Sequence, residues 1–207
     1  RSDYDVAHRW VTYTTYELPV GRGRRFLRDT NRFLDAAAGG WDLSIIQTLE
    51  TGAPMTFSHT GSSNVYLPGA LRPDMAPGKT YDDIQIPWDR RGACRHSVGC
   101  ALPWADINAF AYPASFTPGG AGRNIINGPG VVWHQVSLAK QFRLRERVRG
   151  TVRVDVNNPW KVPFFAAPNS AVNFRNPQAF GKITGTQGSY SGPGGRLYTF
   201  AIFKVEF

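Results

Sequence analysis

Residues 147–157 read Arg-Val-Arg-Gly-Thr-Val-Arg-Val-Asp-Val-Asn, and this stretch decides the fold. Val148, Gly150, Val152, Val154 and Val156 fall on one side of an extended chain; Arg149, Thr151, Arg153, Asp155 and Asn157 fall on the other. Alternation with period two marks a strand that has one apolar and one wet face. A strand tilted across a bilayer needs roughly 9–11 residues, whereas strands of globular proteins average about 5–6. An Arg or Lys facing hydrocarbon costs about 2–4 kcal/mol near the midplane. The valine row is therefore expected to face lipid. Arg149, Arg153 and Asp155 are expected to face the lumen, as candidates for ligand contact or for ion pairing with one another.

Four further stretches share this pattern. Residues 131–142 alternate Val132, Val136, Leu138 and Phe142 with Gln135, Ser137 and Gln141. Residues 8–18 and 41–51 alternate in the same way. In residues 196–207, Leu197, Thr199, Ala201, Phe203, Val205 and Phe207 share a face, with Arg196, Tyr198, Lys204 and Glu206 opposite. The connections are unequal. Residues 143–146 form a tight turn, and residues 19–40 are Arg-rich with a helix expected over 26–37. Phe26, Leu27, Phe33 and Leu34 would share one helical face, and Gly39-Gly40 would end the helix. Residues 52–130 and 158–195 are long and rich in Gly, Pro, Ser and Asn. Shorter turns at one rim and longer loops at the other are the habit of outer-membrane barrels.

The expected fold is all-β: an antiparallel transmembrane β-barrel segment of about five long strands with two long extracellular loops, incomplete on its own. Five strands cannot close, since about eight make the smallest useful barrel, and open edges call for partner strands. With the 143–146 turn on the periplasmic side, the chain enters its first strand from outside and ends in the periplasm. A start at Arg1 without methionine reads as part of something longer.

Composition narrows the alternatives. No stretch of the 207 residues approaches the ~18–20 consecutive apolar residues of a membrane-spanning helix. The net charge of +9 makes nucleic acid an alternative partner. However, the Arg22, Arg24, Arg25, Arg28 and Arg32 cluster leaves no free aromatic platform, because Phe26 and Phe33 belong to the expected helix face. Solvated turn charge is expected there, and no nucleic acid.

Cys94 and Cys100, six positions apart, are expected to form a small-loop disulfide in an oxidising compartment. His96 between them would make a cramped zinc site with no fourth ligand, and the other histidines are scattered, so no metal is expected. There is no Gly-x-Ser-x-Gly elbow. Gly78-Lys79-Thr80 has Pro73 where a phosphate loop needs its leading Gly. Neither an enzyme nor a cofactor is expected. In the first long loop, Trp88, Trp104 and Tyr112 accompany Asp74, Asp82, Asp83 and Asp89. They are candidates for ligand contact, or else aromatics that pack the loop.

Several strings, in order along nearly the whole chain, resemble the C-terminal barrel of TonB-dependent receptors of the carboxypeptidase-regulatory-like, Oar-like kind. They are Asp5-Val6-Ala7-His8-Arg9-Trp10, Tyr16-Glu17-Leu18-Pro19-Val20-Gly21-Arg22-Gly23-Arg24 and Gly39-Gly40-Trp41-Asp42-Leu43-Ser44. Thr51-Gly52-Ala53-Pro54, Gly122-Arg123-Asn124, Gly128-Pro129-Gly130 and Val136-Ser137-Leu138-Ala139-Lys140-Gln141-Phe142 follow, then Phe180-Gly181-Lys182-Ile183-Thr184. Phe203, Val205 and the terminal Phe207 resemble the C-terminal assembly signal of outer-membrane barrels. After the penultimate strand, Asn157-Asn158-Pro159-Trp160-Lys161-Val162-Pro163 keeps Asn158 and Pro163 of that family's Phe-Asn-x-Phe-Asn-x-Pro stretch but loses a Phe and an Asn.

The resemblance implies that residues 1–207 are the C-terminal portion of an outer-membrane barrel, with the plug domain absent. Its partners would be the lipid bilayer, the remainder of the barrel or other chains, and the TonB system, in the bacterial outer membrane. The implied function is uptake of a large nutrient. Two alternatives stand beside it: a structural or assembly component in which a barrel piece pairs with other chains, and a soluble β-rich module binding carbohydrate or nucleic acid.

Overall fold

The alternating stretches become the five strands of one open sheet: β1 (Arg9–Glu17), β2 (Trp41–Glu50), β3 (Val131–Arg145), β4 (Val148–Asn157) and β5 (Tyr198–Glu206). They lie side by side in chain order, so each pairs with its sequence neighbour and β1 and β5 are edges. The computed structural model describes residues 1–59, 71–96, 101–145, 148–187 and 195–206. Cys100 and Phe207 lie outside the described residues, as does the tip of the β3–β4 turn. The Cys94–Cys100 linkage and the last position of the C-terminal pattern therefore stand as sequence readings.

Register sorts the side chains by face. β4 is antiparallel to both neighbours: Val154 lies between Leu138 and Ala201, and Asp155 between Ser137 and Phe200. For β1 and β2, the Leu18 N–H donates to the Trp41 carbonyl and the Thr51 N–H to the His8 carbonyl, which fixes an antiparallel pair. Cross-strand contacts follow that register: Thr15 and Ser44 share a hydrogen bond, and Arg9 meets Glu50 at 3.3 Å. One face thus carries the valines of β4 with Phe203 and Val205, and the other the charged and hydroxyl groups. The sheet is all antiparallel where its pairing is described, and it is not closed. On the edge strands, Trp10, Tyr13, Phe200 and Phe203 are exposed, as expected of an incomplete barrel.

A glycine inside β4 has a specific reason. Gly150 pairs with Phe142, whose ring lies where a Cβ would be, with Cε2 2.6 Å from that position. The aromatic covers the bare backbone from the neighbouring strand.

Two details correct the sequence reading, and a third adds to it. β3 continues to Arg145 and not to Phe142, because Arg143-Leu144-Arg145 keeps the alternation going; the register then shifts between Val148 and Arg149. The helix α1 covers only Arg32–Ala38. Asn31 caps it, accepting the Leu34 N–H at 2.8 Å, and such a cap marks where a helix begins. Upstream, Leu27 adopts φ 59° and Phe26 bridges to Val20, so neither joins the helical face. Phe33 is 88% exposed, so that face is not packed within this chain. Gly39 does end the helix, its N–H bonding to the Asp35 carbonyl.

The third concerns Lys140, which pairs with Val152 and so falls on the valine face. Its Nζ donates to the carbonyls of Ala36 (2.5 Å), Gly39 (2.5 Å) and Ala37 (3.3 Å), and lies 5.6 Å from the Trp41 ring centre. The end of a short helix leaves carbonyls without intrahelical donors and carries partial negative charge. A buried cation is held there by acceptors, not by hydrocarbon.

The chain divides into two compact units. The sheet unit takes Trp10–Leu49, Val132–Val162 and Arg196–Phe207; the loop unit takes Arg1–Arg9, Glu50–Val131 and Pro163–Gly195. The two long connections are thus a packed body of their own. Four two-residue ladders tie it: 54–55 with 126–127, 58–59 with 171–172, 74–75 with 110–111, and 102–103 with 182–183. Its core is a triangle of Phe57, Phe110 and Phe180, with ring centres 4.9–5.7 Å apart, beside Ile84, Leu102, Val172 and Ile183. Burying such a side chain contributes about 1.5–3 kcal/mol relative to leaving it in water. That is how segments with little regular structure hold one arrangement.

Candidate functional site

On the wet face of the sheet unit, Arg153 Nε donates to Asp155 Oδ1 at 2.6 Å and its Nη2 to Ser137 Oγ at 3.2 Å. Asp155, Ser137 and Asn157 are buried. A buried carboxylate is tolerable when a guanidinium and further polar groups surround it. Arg149 stands apart, opposite Glu206, which in turn accepts from Lys204 at 2.6 Å. Of the three lumen candidates, Arg153 and Asp155 are joined and Arg149 is not. Their hydrogen bonds are spent largely on each other.

In the loop unit the three aromatic candidates separate. Trp104 is core, 6% exposed, and its Nε1 donates to the Asn127 carbonyl at 3.0 Å. Trp104 is thus an aromatic that packs the loop. Tyr112 is half exposed, with its ring edge-on to Phe174 (4.7 Å) and to His59 (5.7 Å). His59 is itself buried, which pushes its imidazole below the usual pKa while the Asp74 charge pulls the other way. Trp88 is also half exposed.

Trp88 and Trp104 are brought together by Arg91, a residue that the sequence reading missed. The guanidinium carbon of Arg91 lies 3.7 Å from the Trp104 ring centre and 5.2 Å from that of Trp88. Arg91 is 5% exposed, and burial holds its pKa below the ordinary value; a guanidinium nonetheless stays charged at any physiological pH. A cleft of about 560 Å³ opens beside it, walled also by Tyr81, Asp82, Gln85, Trp88 and Asn127.

The loop carboxylates are mostly occupied by turns. Asp74 Oδ1 accepts the Gly120 N–H, Asp83 accepts the Thr80 N–H at 2.8 Å, and Asp106 accepts the Asn108 N–H at 2.9 Å. Among the described residues, no three His, Cys, Asp or Glu side chains gather where they could hold a metal ion. The basic cluster is solvent-exposed, with Arg24 meeting Glu17 at 3.3 Å.

Two of the strings that carried the resemblance meet in space, and a third holds the first residues of the chain. Arg123 pairs with Asp3 at 2.5 Å, and Asn124 Nδ2 donates to Asp3 and to the Arg1 carbonyl. Gly52 lies so close to the Gly128 carbonyl that no Cβ fits between them, and Pro54 pairs with Asn127. In the sheet unit, Asn158 takes φ 49° and closes the chain after β4, with its Oδ1 accepting the Val162 N–H and its Nδ2 donating to the Val162 carbonyl.

A family model described as an outer membrane beta barrel domain matches residues 1–197. No curated protein and no solved structure matches the chain.

Proposed function

Since the chain belongs to this outer membrane β-barrel domain family, and so to the bacterial outer membrane, we propose that it is the C-terminal barrel portion of a TonB-dependent receptor that takes up a large nutrient. The observation that carries the reading is the fate of the two long connections. They form a packed body with a polar cleft, as a capture surface requires. The wet face, with its paired charges, suits the lining of a passage. The protein's part would be physical, without bond-making chemistry. On this reading a plug and a TonB-contacting segment complete the receptor.

The test is the native polypeptide itself. Antibody against a loop-unit peptide should recover, from cross-linked outer membranes, one chain that carries plug peptides and is linked to an energy-transducing TonB protein. A chain without plug, cross-linked only to other barrel chains through its β1 and β5 edges, would establish the assembly role instead. The family match leaves the soluble module without support.

The Cys94–Cys100 disulfide is part of the same reading, because the loop unit would be extracellular. Non-reducing mass spectrometry of native material should show the two linked, lighter than the dithiol by two hydrogens. Alkylation of both thiols without prior reduction would refute the linkage.

A further inference from the structure

We propose that the cleft beside Arg91 is a subsite for the carboxylate of an acidic saccharide, a uronate unit held before uptake; its purpose, though not its chemistry, rests on the receptor reading above. Arg91 is a buried cation that meets no Asp or Glu among the described residues. Among the described residues its side chain makes one hydrogen bond, from Nε to the Ile86 carbonyl at 2.8 Å. A buried charge without a counter-ion is costly, and a ligand anion would offset that cost.

The two tryptophans decide how the anion is met. The guanidinium lies over the Trp104 ring and near that of Trp88, and Nε is used, which leaves the Nη groups. Those groups match a planar carboxylate through two parallel N–H···O bonds.

The rest of the wall selects what carries the carboxylate. Tyr81 and Trp88 are both just under half exposed and can lie against the C–H face of a sugar ring. Gln85 and Asn127 add amide groups, and the Asn127 side-chain oxygen is buried with no hydrogen-bond partner. A hydroxyl-rich ring uses hydrogen-bonding groups in several directions, which the aliphatic side chain of a peptide terminus does not. Asp82, also in the wall, repels a second acid placed near it and so favours hydroxyls beside a single carboxylate.

The experiment titrates the detergent-solubilised full-length protein with digalacturonate, with its methyl ester, and with a tetrapeptide bearing a free C-terminus. Calorimetry and tryptophan fluorescence are the readouts. Digalacturonate should bind at least about ten-fold more tightly than its ester, since a site built around a buried charged group rejects the ligand that leaves it unpaired. Arg91→Lys, which keeps the charge but loses the planar fork, should weaken binding about ten-fold or more, and Trp88→Ala should weaken it and remove the fluorescence change. Should Arg91→Lys fail to fold, the acid-against-ester comparison and Trp88→Ala decide the matter. Equal affinity for acid and ester, preference for the tetrapeptide, or no binding by folded protein would overturn the subsite while leaving the receptor reading intact. Binding to the purified protein without TonB-dependent uptake in cells would support the subsite and count against transport.

Discussion

Gly181→Ala is expected to destabilise the loop unit by about 3 kcal/mol or more, which is in the upper range for single substitutions. Three features converge on this residue. Its φ of +64° lies in the left-handed region, which glycine enters freely and other residues at a cost. An added Cβ would lie 2.8 Å from the Ala105 carbonyl carbon and closer still to its oxygen, so backbone must move. The carbonyl of Gly181 also receives the N–H groups of Trp104 (2.7 Å) and Ala105 (3.2 Å), while its own N–H reaches Asn169 at 2.9 Å. Displacing it would unseat Trp104 and the neighbouring Phe180 together. Gly185→Ala is the matched control, because nothing lies within 4 Å of a Cβ there. Limited proteolysis of the protein in its membrane reads the difference. Gly181→Ala should expose cleavage sites within residues 50–131 and 163–195 with the strands still inserted, and Gly185→Ala should behave as wild type. Equal resistance of the two variants would show that this close approach does not govern loop packing.

What could be read in advance was whatever repeats along the chain. The alternation in residues 147–157 is local, so the division into valine and charged faces survives in the register of β3, β4 and β5, with Lys140 the exception. The glycine- and asparagine-rich strings were visible too, though not their purpose. Gly52 and Gly128 are far apart in sequence and touch through backbone, and Asn158 is kept because it combines a left-handed backbone with two side-chain bonds. Arg91 and Trp104 were illegible for the opposite reason. Arg91 shares one cleft with residues 81–82, 85–88 and 125–127, and Trp104 joins the core of the loop unit beside it; no period or spacing announces such a meeting. Lys140 breaks the pattern of its own face because a helix end, supplied by a different connection, takes its charge. The helix was over-extended on apolar spacing at Phe26 and Leu27, where the Asn31 cap was the better signal.

Val154→Arg should cost about 2–4 kcal/mol in the membrane, the range for Arg or Lys near the midplane of a barrel's lipid face, whereas Phe200→Arg should cost little. The two positions make a sharp comparison because they lie at almost the same level of the sheet. Val154 sits between Leu138 and Ala201, with the next valines of its row on either side. Phe200 pairs with Asp155, one residue along and on the opposite face. An arginine at 154 must either sit in hydrocarbon or distort the strand to reach water. An arginine at 200 gains a carboxylate neighbour and solvent, since Phe200 is already more than half exposed. Hydropathy alone predicts the reverse, because losing a phenylalanine removes more apolar surface than losing a valine. The measurement is denaturant unfolding of the full-length protein from lipid vesicles, supported by the amount recovered in the outer membrane. A cost at 154 that vanishes, or one matched at 200, would mean that the valine row does not face lipid. The orientation of the sheet, and every assignment of lumen and loop that depends on it, would then have to be reversed.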